Sequence, residues 1–576
     1  MSHSVEGKRR RGATTRRGGV LAALLVGSGL VSSGLSLGCA PSTSARAPAT
    51  APGAVAVPSP RASDGGEDAF AVSGTLTRED LPGAMPRVPR QERPPPTDPP
   101  GVPPAPPSCR AYVARTATAT PDCGSEAAAH EALADALEVG DAAGRDAVLV
   151  ALERCAPLPP GLARALRIEL APVACADALA TPFLTAPPPG TEGLLHDAIH
   201  GLALAGKLSR TTAAAPAAPL PHDKEHLERW TRETLKPWIE EQATAIETLS
   251  RGGAALRYYG RAVVAVEAGM AEMRFIDVAR NVPIPDEFKA DEELAETYRQ
   301  ALEDALEPRK RRGRDAALVG LGSLATIGLL RDPRVDRARE LLSRMYGGAP
   351  IDALDALLLP PLEPRAPAAA EERLAARLQS FYASLVLAPD QAQPLLRFLM
   401  ERGLALPHRI ALASPSSSLS GEERRLLART RLEMAQSYWR RVDVDEAVNA
   451  LHSLPAAQRG ERGQLILATA LALRGGPKSA AAMMTRPPTE RLGVGDVTAL
   501  DALAAGSGPY RGMAAFNAAY IGQLTAPADA AAEAWDGIAA RYTRAAALLE
   551  DIRYRKLAEA RRDEAQQIAA AIRRRP

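Results

Sequence analysis

A 33-residue recurrence near the carboxyl end constrains the fold of this chain more than any other sequence feature. The recurring positions are Ala435, Tyr438, Ala447, Leu451 and Pro455, which return as Ala468, Leu471, Ala480, Met484 and Pro488. Several of them are three or four residues apart, which is the spacing of one face of a helix. A period of this length predicts a helix–turn–helix unit that buries its apolar face against neighbouring units.

The first copy also carries signals for the starts of its two helices. Ser420 with Glu423, and Asp443 with Glu446, have the spacing of a capping box. In that motif the side chains at the helix start satisfy backbone N–H groups that have no partner within the helix. Gly476-Pro477 is the corresponding start in the second copy, because Pro is favoured in the first helical turn.

This unit resembles the tetratricopeptide repeat, and the resemblance covers about residues 420–523. A third copy keeps only the alanines Ala502, Ala505, Ala514 and Ala518. In that family the first helix of each unit lines a concave groove that binds protein partners. The resemblance therefore implies a body of stacked helical hairpins whose concave face is an interaction surface.

The groove positions of the family fall on Gln436, Trp439 and Arg440 in the first copy. In the second copy they fall on Thr469, Ala472 and Leu473, which offer little polar recognition. The resemblance thus implies a partner site on the first unit. Trp439 would supply contact area there, and the guanidinium group of Arg440 would bind a carboxylate through two parallel hydrogen bonds. Packing of Trp439 on a neighbouring helix is the alternative.

Composition agrees with a helical body. Hydrophobic residues make up 46% of the chain but aromatic residues only 4%, so the cores must be rich in alanine and leucine. Such residues favour close-packed helices, whereas strands draw on β-branched and aromatic side chains. We therefore predict an all-α fold, a helical-hairpin α-solenoid of the tetratricopeptide kind behind a proline-rich stalk.

The amino-terminal segment indicates export. Six basic residues, Lys8, Arg9, Arg10, Arg11, Arg16 and Arg17, precede the uncharged run Gly18–Cys39, which glycine and serine make too weakly apolar for a transmembrane anchor. The run resembles the signal of bacterial lipoprotein precursors, although Ser36 stands where that family usually has Leu. This resemblance implies cleavage before Cys39, acylation of its thiol by chains such as palmitate, and, from Ala40, sorting to the outer membrane. An ordinary signal cleaved nearby is the alternative.

The rest of the chain divides by composition. After the signal at 1–39 we predict a disordered Pro/Ala-rich linker at 40–108, a small cysteine-containing helical domain at 109–209, a helical repeat-like region at 222–410, tetratricopeptide-like repeats at 411–526 and one long helix at 527–576. The pattern from Pro285 through Tyr298 and Pro308 to residues 334–346 resembles helical-repeat envelope lipoproteins of myxobacteria. The long helix either packs back on the last repeat or pairs with another chain.

Four cysteines, Cys109, Cys123, Cys155 and Cys175, lie in the small domain. An even number of cysteines in an exported chain predicts two disulfides. We favour pairing of sequence neighbours, Cys109 with Cys123 and Cys155 with Cys175, because these close the shortest loops. The other two pairings and reduced, buried thiols remain open.

Two histidine pairs offer the nearest approach to catalytic chemistry. His196 with His200, and His222 with His226, are each one helical turn apart, as in zinc hydrolases. Asp197 stands where such an enzyme has its Glu, so we interpret the histidines as solvated side chains. A lipid-anchored zinc-dependent hydrolase using these four residues is the alternative function.

The net charge of +2 provides no strong field for nucleic acid. The basic run Arg309–Arg312 is interpreted as a solvated helix end. We expect no enzyme and no cofactor, but a lipid-anchored scaffold or adaptor of the cell envelope that binds envelope proteins. The sequence leaves the identity of the partner and the oligomeric state open.

Overall fold

The computed structural model describes residues 69–70, 99–117, 120–329, 332–345, 357–361, 366–387, 419–438, 440–474, 496–526 and 529–574. The described part of the chain is helical and contains no strands, which confirms the predicted all-α class. Cys39, Trp439 and most of the predicted linker lie outside these residues. Of the helices described, none combines the length and the apolar character that a membrane span requires.

The small domain contains five helices of nine residues or more, after a single helical turn at Arg110–Val113. They are α1 (Glu126–Glu138), α2 (Ala142–Leu152), α3 (Leu162–Leu170), α4 (Ala176–Thr185) and α5 (Gly193–Arg210). Ser125 and Asp141 begin α1 and α2 by accepting from backbone N–H groups three residues on. Helix α4 contains Pro182, a residue that normally argues against a helix interior.

The middle of the chain is built around one buried helix, Tyr258–Arg280. Its elements are α6 (Lys224–Trp230), α7 (Lys236–Ala254), α8 (Tyr258–Arg280), α9 (Glu292–Ile327), α10 (Pro333–Met345), α11 (Ala370–Arg377) and α12 (Ser380–Val386). Helix α9 runs through Pro308 without a break. Apolar residues near its carboxyl end, such as Ala317, Leu321 and Leu324, are buried.

The carboxyl-terminal part contains α13 (Gly421–Tyr438), α14 (Arg441–His452), α15 (Ala456–Leu473), α16 (Thr498–Ala505), α17 (Arg511–Thr525), α18 (Ala532–Leu548) and α19 (Ile552–Arg574). The expected single helix at 527–576 is therefore wrong. The chain turns at residues 549–551, where Asp551 accepts from the backbone N–H of Arg553. Helices α18 and α19 then pack on one another, and Tyr542 and Ala545 of α18 are fully buried within the chain.

Glycines let α8 approach its neighbours more closely than other residues would. A Cβ atom on Gly260 would lie 2.2 Å from the carbonyl oxygen of Asp197 in α5, and one on Gly201 would lie 2.4 Å from that of Gly260. At the contact between α8 and α9, a Cβ on Gly320 of α9 would lie 2.6 Å from a methyl group of Val266 in α8. The three helices α5, α8 and α9 are therefore in near-backbone contact.

Buried carboxylates on α8 are neutralised by arginines. Glu272 is 5% exposed and accepts from Arg309 at 2.7 Å and Arg312 at 3.1 Å, both of α9. Arg309 also lies over the ring of Phe275, 3.7 Å from its centroid. The basic run is thus in the middle of α9 and partly engaged with α8, so its interpretation as a solvated helix end is wrong.

A polar cluster joins α3, α8, α10 and α12. Glu169 accepts hydrogen bonds from the hydroxyl groups of Tyr259 at 2.9 Å and Tyr382 at 3.1 Å, and it pairs with Arg334. Burial raises the pKa of both tyrosine hydroxyls well above its ordinary value, so both remain protonated donors. The cluster fixes segments far apart in sequence around one carboxylate.

A strap at residues 99–113 crosses the small domain and α7. Its backbone carbonyls accept from buried side chains: Gly101 from Gln242 at 2.8 Å, Pro103 from Arg210 at 2.9 Å and Tyr112 from Arg167 at 3.0 Å. Residues 99–108 of the predicted linker therefore lie on the body. Phe70, from the same predicted linker, is only 5% exposed and belongs to the main hydrophobic core.

We expect Gly260→Ala to lower the free energy of unfolding by about 1–3 kcal/mol, because its methyl group would force α5 and α8 apart. Gly537→Ala is the matched control. Nothing lies within 4 Å of a Cβ at Gly537, which is inside α18, so the better helix propensity of Ala should raise stability by up to about 1 kcal/mol. Urea unfolding of the two variants checks this; equal midpoints would contradict the close contact.

Candidate partner-binding site

The capping signal at the start of the tetratricopeptide-like unit forms as predicted. The backbone N–H of Ser420 donates to the Glu423 carboxylate at 2.7 Å, and the N–H of Glu423 donates to the Ser420 hydroxyl at 3.3 Å. The second signal is wrong. Asp443 lies within α14, is fully buried and pairs with Arg431 at 3.1 Å and Arg440 at 3.4 Å.

Helices α13, α14 and α15 share a hydrophobic core of their own. It contains the predicted small and apolar positions Ala435, Ala447 and Leu451, which are at most 1% exposed. The alanines let the helices approach, as the repeat pattern predicts. The second helix of the next copy would include Ala480 and Met484, which lie outside the described residues.

Two of the three groove residues implied for the first copy, Gln436 and Arg440, contact other residues of the chain. Gln436 is 8% exposed and donates to the carbonyl oxygen of Leu357 at 3.0 Å. Arg440 holds the buried carboxylate of Asp443. Trp439 lies outside the described residues. Gln436 therefore faces the interior instead of an open groove, because the segment at 357–361 packs on this side of α13.

A cleft at the other end of α13 from Gln436, where α13 and α15 begin, is open to solvent. It has a volume of about 570 Å³, and three arginines, Arg425, Arg459 and Arg462, line it together with Glu461 and Gly460. These five residues form what we call the arginine cleft. Within the described part of the chain, none of the three guanidinium groups forms an ion pair with a carboxylate within 4.0 Å.

Backbone geometry at Gly460 shapes this cleft. With φ 59° and ψ 178° it divides α15 into a short first turn and a longer segment that begins at Glu461. Positive φ combined with ψ near 180° is a region that essentially only glycine adopts, and strain of this kind costs other residues about 1–3 kcal/mol. A Cβ on Gly460 would meet nothing within 4 Å, so the requirement is for the backbone angle alone.

Each arginine of the cleft is oriented by a contact within the chain. Arg425 donates to the carbonyl oxygen of Gln458, and Arg459 to that of Leu454 at 2.9 Å. Arg462 donates to the hydroxyl of Tyr510 at 3.4 Å. A guanidinium has five N–H donors, so each retains donors for a further acceptor.

Sequence reasoning missed this cleft. The available signal was the placement of Arg424 and Arg425 near the start of α13 and of Arg459 and Arg462 near the start of α15. Basic residues near a helix start oppose the preference of the helix dipole for negative charge there. Glu422 and Glu423 offset the two arginines at the start of α13, so the clearer signal was the start of α15, whose first turn has no acidic residue.

The disulfides differ from the preferred pairing. Cys109 is joined to Cys175 and Cys123 to Cys155, so the prediction that sequence neighbours pair is wrong. Cys123 precedes α1 and Cys155 follows α2, and these two positions meet because the helices form a hairpin. Cys109 reaches Cys175 because the strap folds back over the start of α4.

The first histidine pair is part of the core. His196 and His200 are each 7% exposed, with ring centroids 6.4 Å apart, and His196 lies 6.1 Å from the ring of Phe183. Asp197 between them pairs with Arg257 at 2.7 Å. The interpretation as solvated histidines is therefore wrong for this pair, since α5 is buried against α8.

The second pair lies at the surface. His226 is about half exposed and contacts the carboxylate of Asp223, which also begins α6 by accepting from the backbone N–H of His226. The bonds from His226 lower the pKa of that carboxyl group below its ordinary value. Among the residues described, no three His, Cys, Asp or Glu side chains form a group that could hold a metal ion.

Comparison with known proteins gave no relatives: no family model, curated protein or solved structure matches this chain.

Replacing His196 and His200 together by Ala should lower the free energy of unfolding by about 2 kcal/mol or more, because two buried rings leave cavities. The matched control replaces His222 and His226 by Ala, which should change it by less than about 1 kcal/mol. Thermal unfolding and the zinc content of the purified chain are the measurements. Stoichiometric zinc lost from the first variant would instead favour the hydrolase.

Peptide mapping without reduction should find Cys109 linked to Cys175 and Cys123 linked to Cys155. Reduction should destabilise the chain by about 3–4 kcal/mol for each bridge in the chain-entropy model, because both bridges close loops longer than about 15 residues. Peptides that link Cys109 with Cys123 would contradict the structure.

Proposed function

We propose that this chain is a lipid-anchored scaffold or adaptor of the bacterial cell envelope, tethered to the outer membrane through Cys39. The observation that carries the export part of the proposal is the pairing of all four described cysteines in two disulfides. Disulfides persist in oxidising compartments such as the periplasm and are rare in the cytosol. The signal-like segment before Cys39 supports the same compartment.

Packed helical hairpins with exposed surface support an adaptor role. Helix pairs α13–α14 and α18–α19 pack as hairpins, and the arginine cleft opens between α13 and α15. Stacked hairpins suit protein binding because their extended faces expose many side chains on a rigid frame. We therefore assign partner binding to the carboxyl-terminal hairpins and tethering to the amino-terminal segment.

Expression of the full precursor in a bacterial host with radioactive palmitate tests the tether. We expect the wild-type chain to be labelled and to sediment with the total membrane fraction. Cys39→Ser should be unlabelled and should not sediment with membranes, because acylation requires the thiol of that residue. Cys123→Ser is a control that removes a disulfide and leaves Cys39 in place; it should still be labelled. Unlabelled wild-type chain, or Cys39→Ser that sediments with membranes as the wild type does, would disprove the anchor.

A further inference from the structure

We propose that the arginine cleft binds the carboxylate side chains of an acidic segment in a protein partner. This inference rests on the proposed adaptor function and names the chemistry that its partner must offer. The cleft is distinct from the predicted groove at Gln436, Trp439 and Arg440, because it lies at the other end of α13.

The charge balance of the cleft distinguishes it from the rest of the surface. Elsewhere in the described body, arginines are commonly matched by carboxylates; Arg373, for example, contacts Glu131, Asp135 and Glu138 of α1 at once. Arg425, Arg459 and Arg462 all line the cleft, and Glu461 is the one carboxylate among its lining residues; Glu422 and Glu423 lie in the adjoining first turn of α13. Convergent like charges repel each other unless an anion is bound among them.

The guanidinium groups are held in place before any ligand arrives. The aliphatic part of Arg425 packs over Gly463, where a Cβ would lie 3.4 Å from its Cγ and Cδ atoms. Its Nη1 is bonded to Gln458, and the Nε atoms of Arg459 and Arg462 are bonded to Leu454 and Tyr510. Binding therefore immobilises little additional side chain, which favours affinity.

The shape and charge of the cleft favour an acidic peptide over an anion of higher charge density, such as a polyphosphate. A guanidinium matches a carboxylate by two parallel hydrogen bonds, and three such groups in about 570 Å³ suit a few carboxylate side chains. Glu461, in the same lining, repels a polyphosphate or nucleic-acid backbone but can accept from a peptide N–H or a neighbouring basic side chain. The mixture of three positive groups and one negative group thus fits a protein segment.

Fluorescence anisotropy with a labelled peptide of alternating Glu and Gly tests the proposal on the full chain purified in detergent. We expect the wild type to bind this peptide and not its Gln–Gly counterpart, with affinity that falls as salt is raised. The variant Arg425→Gln/Arg459→Gln/Arg462→Gln should bind at least about tenfold more weakly, because it loses three charge-assisted contacts.

The matched control is Arg229→Gln/Arg232→Gln/Arg299→Gln, which removes the same charge from exposed helix surfaces. It should bind as the wild type does. Each single cleft variant is measured as well, so that a folding defect in the triple variant leaves the test intact; each should weaken binding. Equal binding by the cleft and control variants, or no binding of the Glu–Gly peptide by the wild type, would overturn the proposal.

The two proposals fail separately. A chain that binds the Glu–Gly peptide through the cleft but carries no lipid on Cys39 keeps this inference and loses the tether. A chain that is acylated but does not bind the peptide keeps the tether and loses the assignment of the cleft.

Discussion

Near-contact of the helix backbones at α8 is the constraint on which the rest of the structure depends. A chain with few aromatic residues fills its core with alanine and leucine. Because many of these side chains are small, they fill the space between helices only if the helices lie close together. Gly201, Gly260 and Gly320 permit that approach. The same closeness buries Glu272, which would destabilise the body strongly without Arg309 and Arg312. Close packing around α8 therefore requires both the glycines, which let the helices approach, and the arginines, which neutralise the carboxylate that this approach buries.

Local chemistry made much of the fold predictable from the sequence. Composition predicted the all-α class, because a chain rich in alanine and leucine and poor in aromatic residues favours close-packed helices. Ser420 and Glu423 form the predicted capping box, since that motif depends only on residues three apart. The small positions of the first repeat are buried for the same reason: their spacing belongs to a hairpin whose helices are neighbours in sequence.

Features that depend on distant segments were not predictable in this way. Cys109 pairs with Cys175 because the strap crosses the domain, which no spacing reveals. Gln436 is covered by residues near Leu357, and Asp443 is drawn inward by Arg431, although both have surface-compatible sequence contexts. The arginine cleft was missed because its groups come from two helices whose charges look solvated when each is considered alone.

The strap has a mechanical consequence for any chain that is held from its amino-terminal side. Tension applied upstream meets the buried Phe70 first, and tension that reaches residue 99 enters the body at the hydrogen bonds of Gly101 and Pro103 and then at the covalent bond from Cys109 to Cys175. Cys175 adjoins α4, which packs on the buried α5. Load therefore passes into the centre of the fold and bypasses the α1–α2 hairpin, which would otherwise be the first element to peel away.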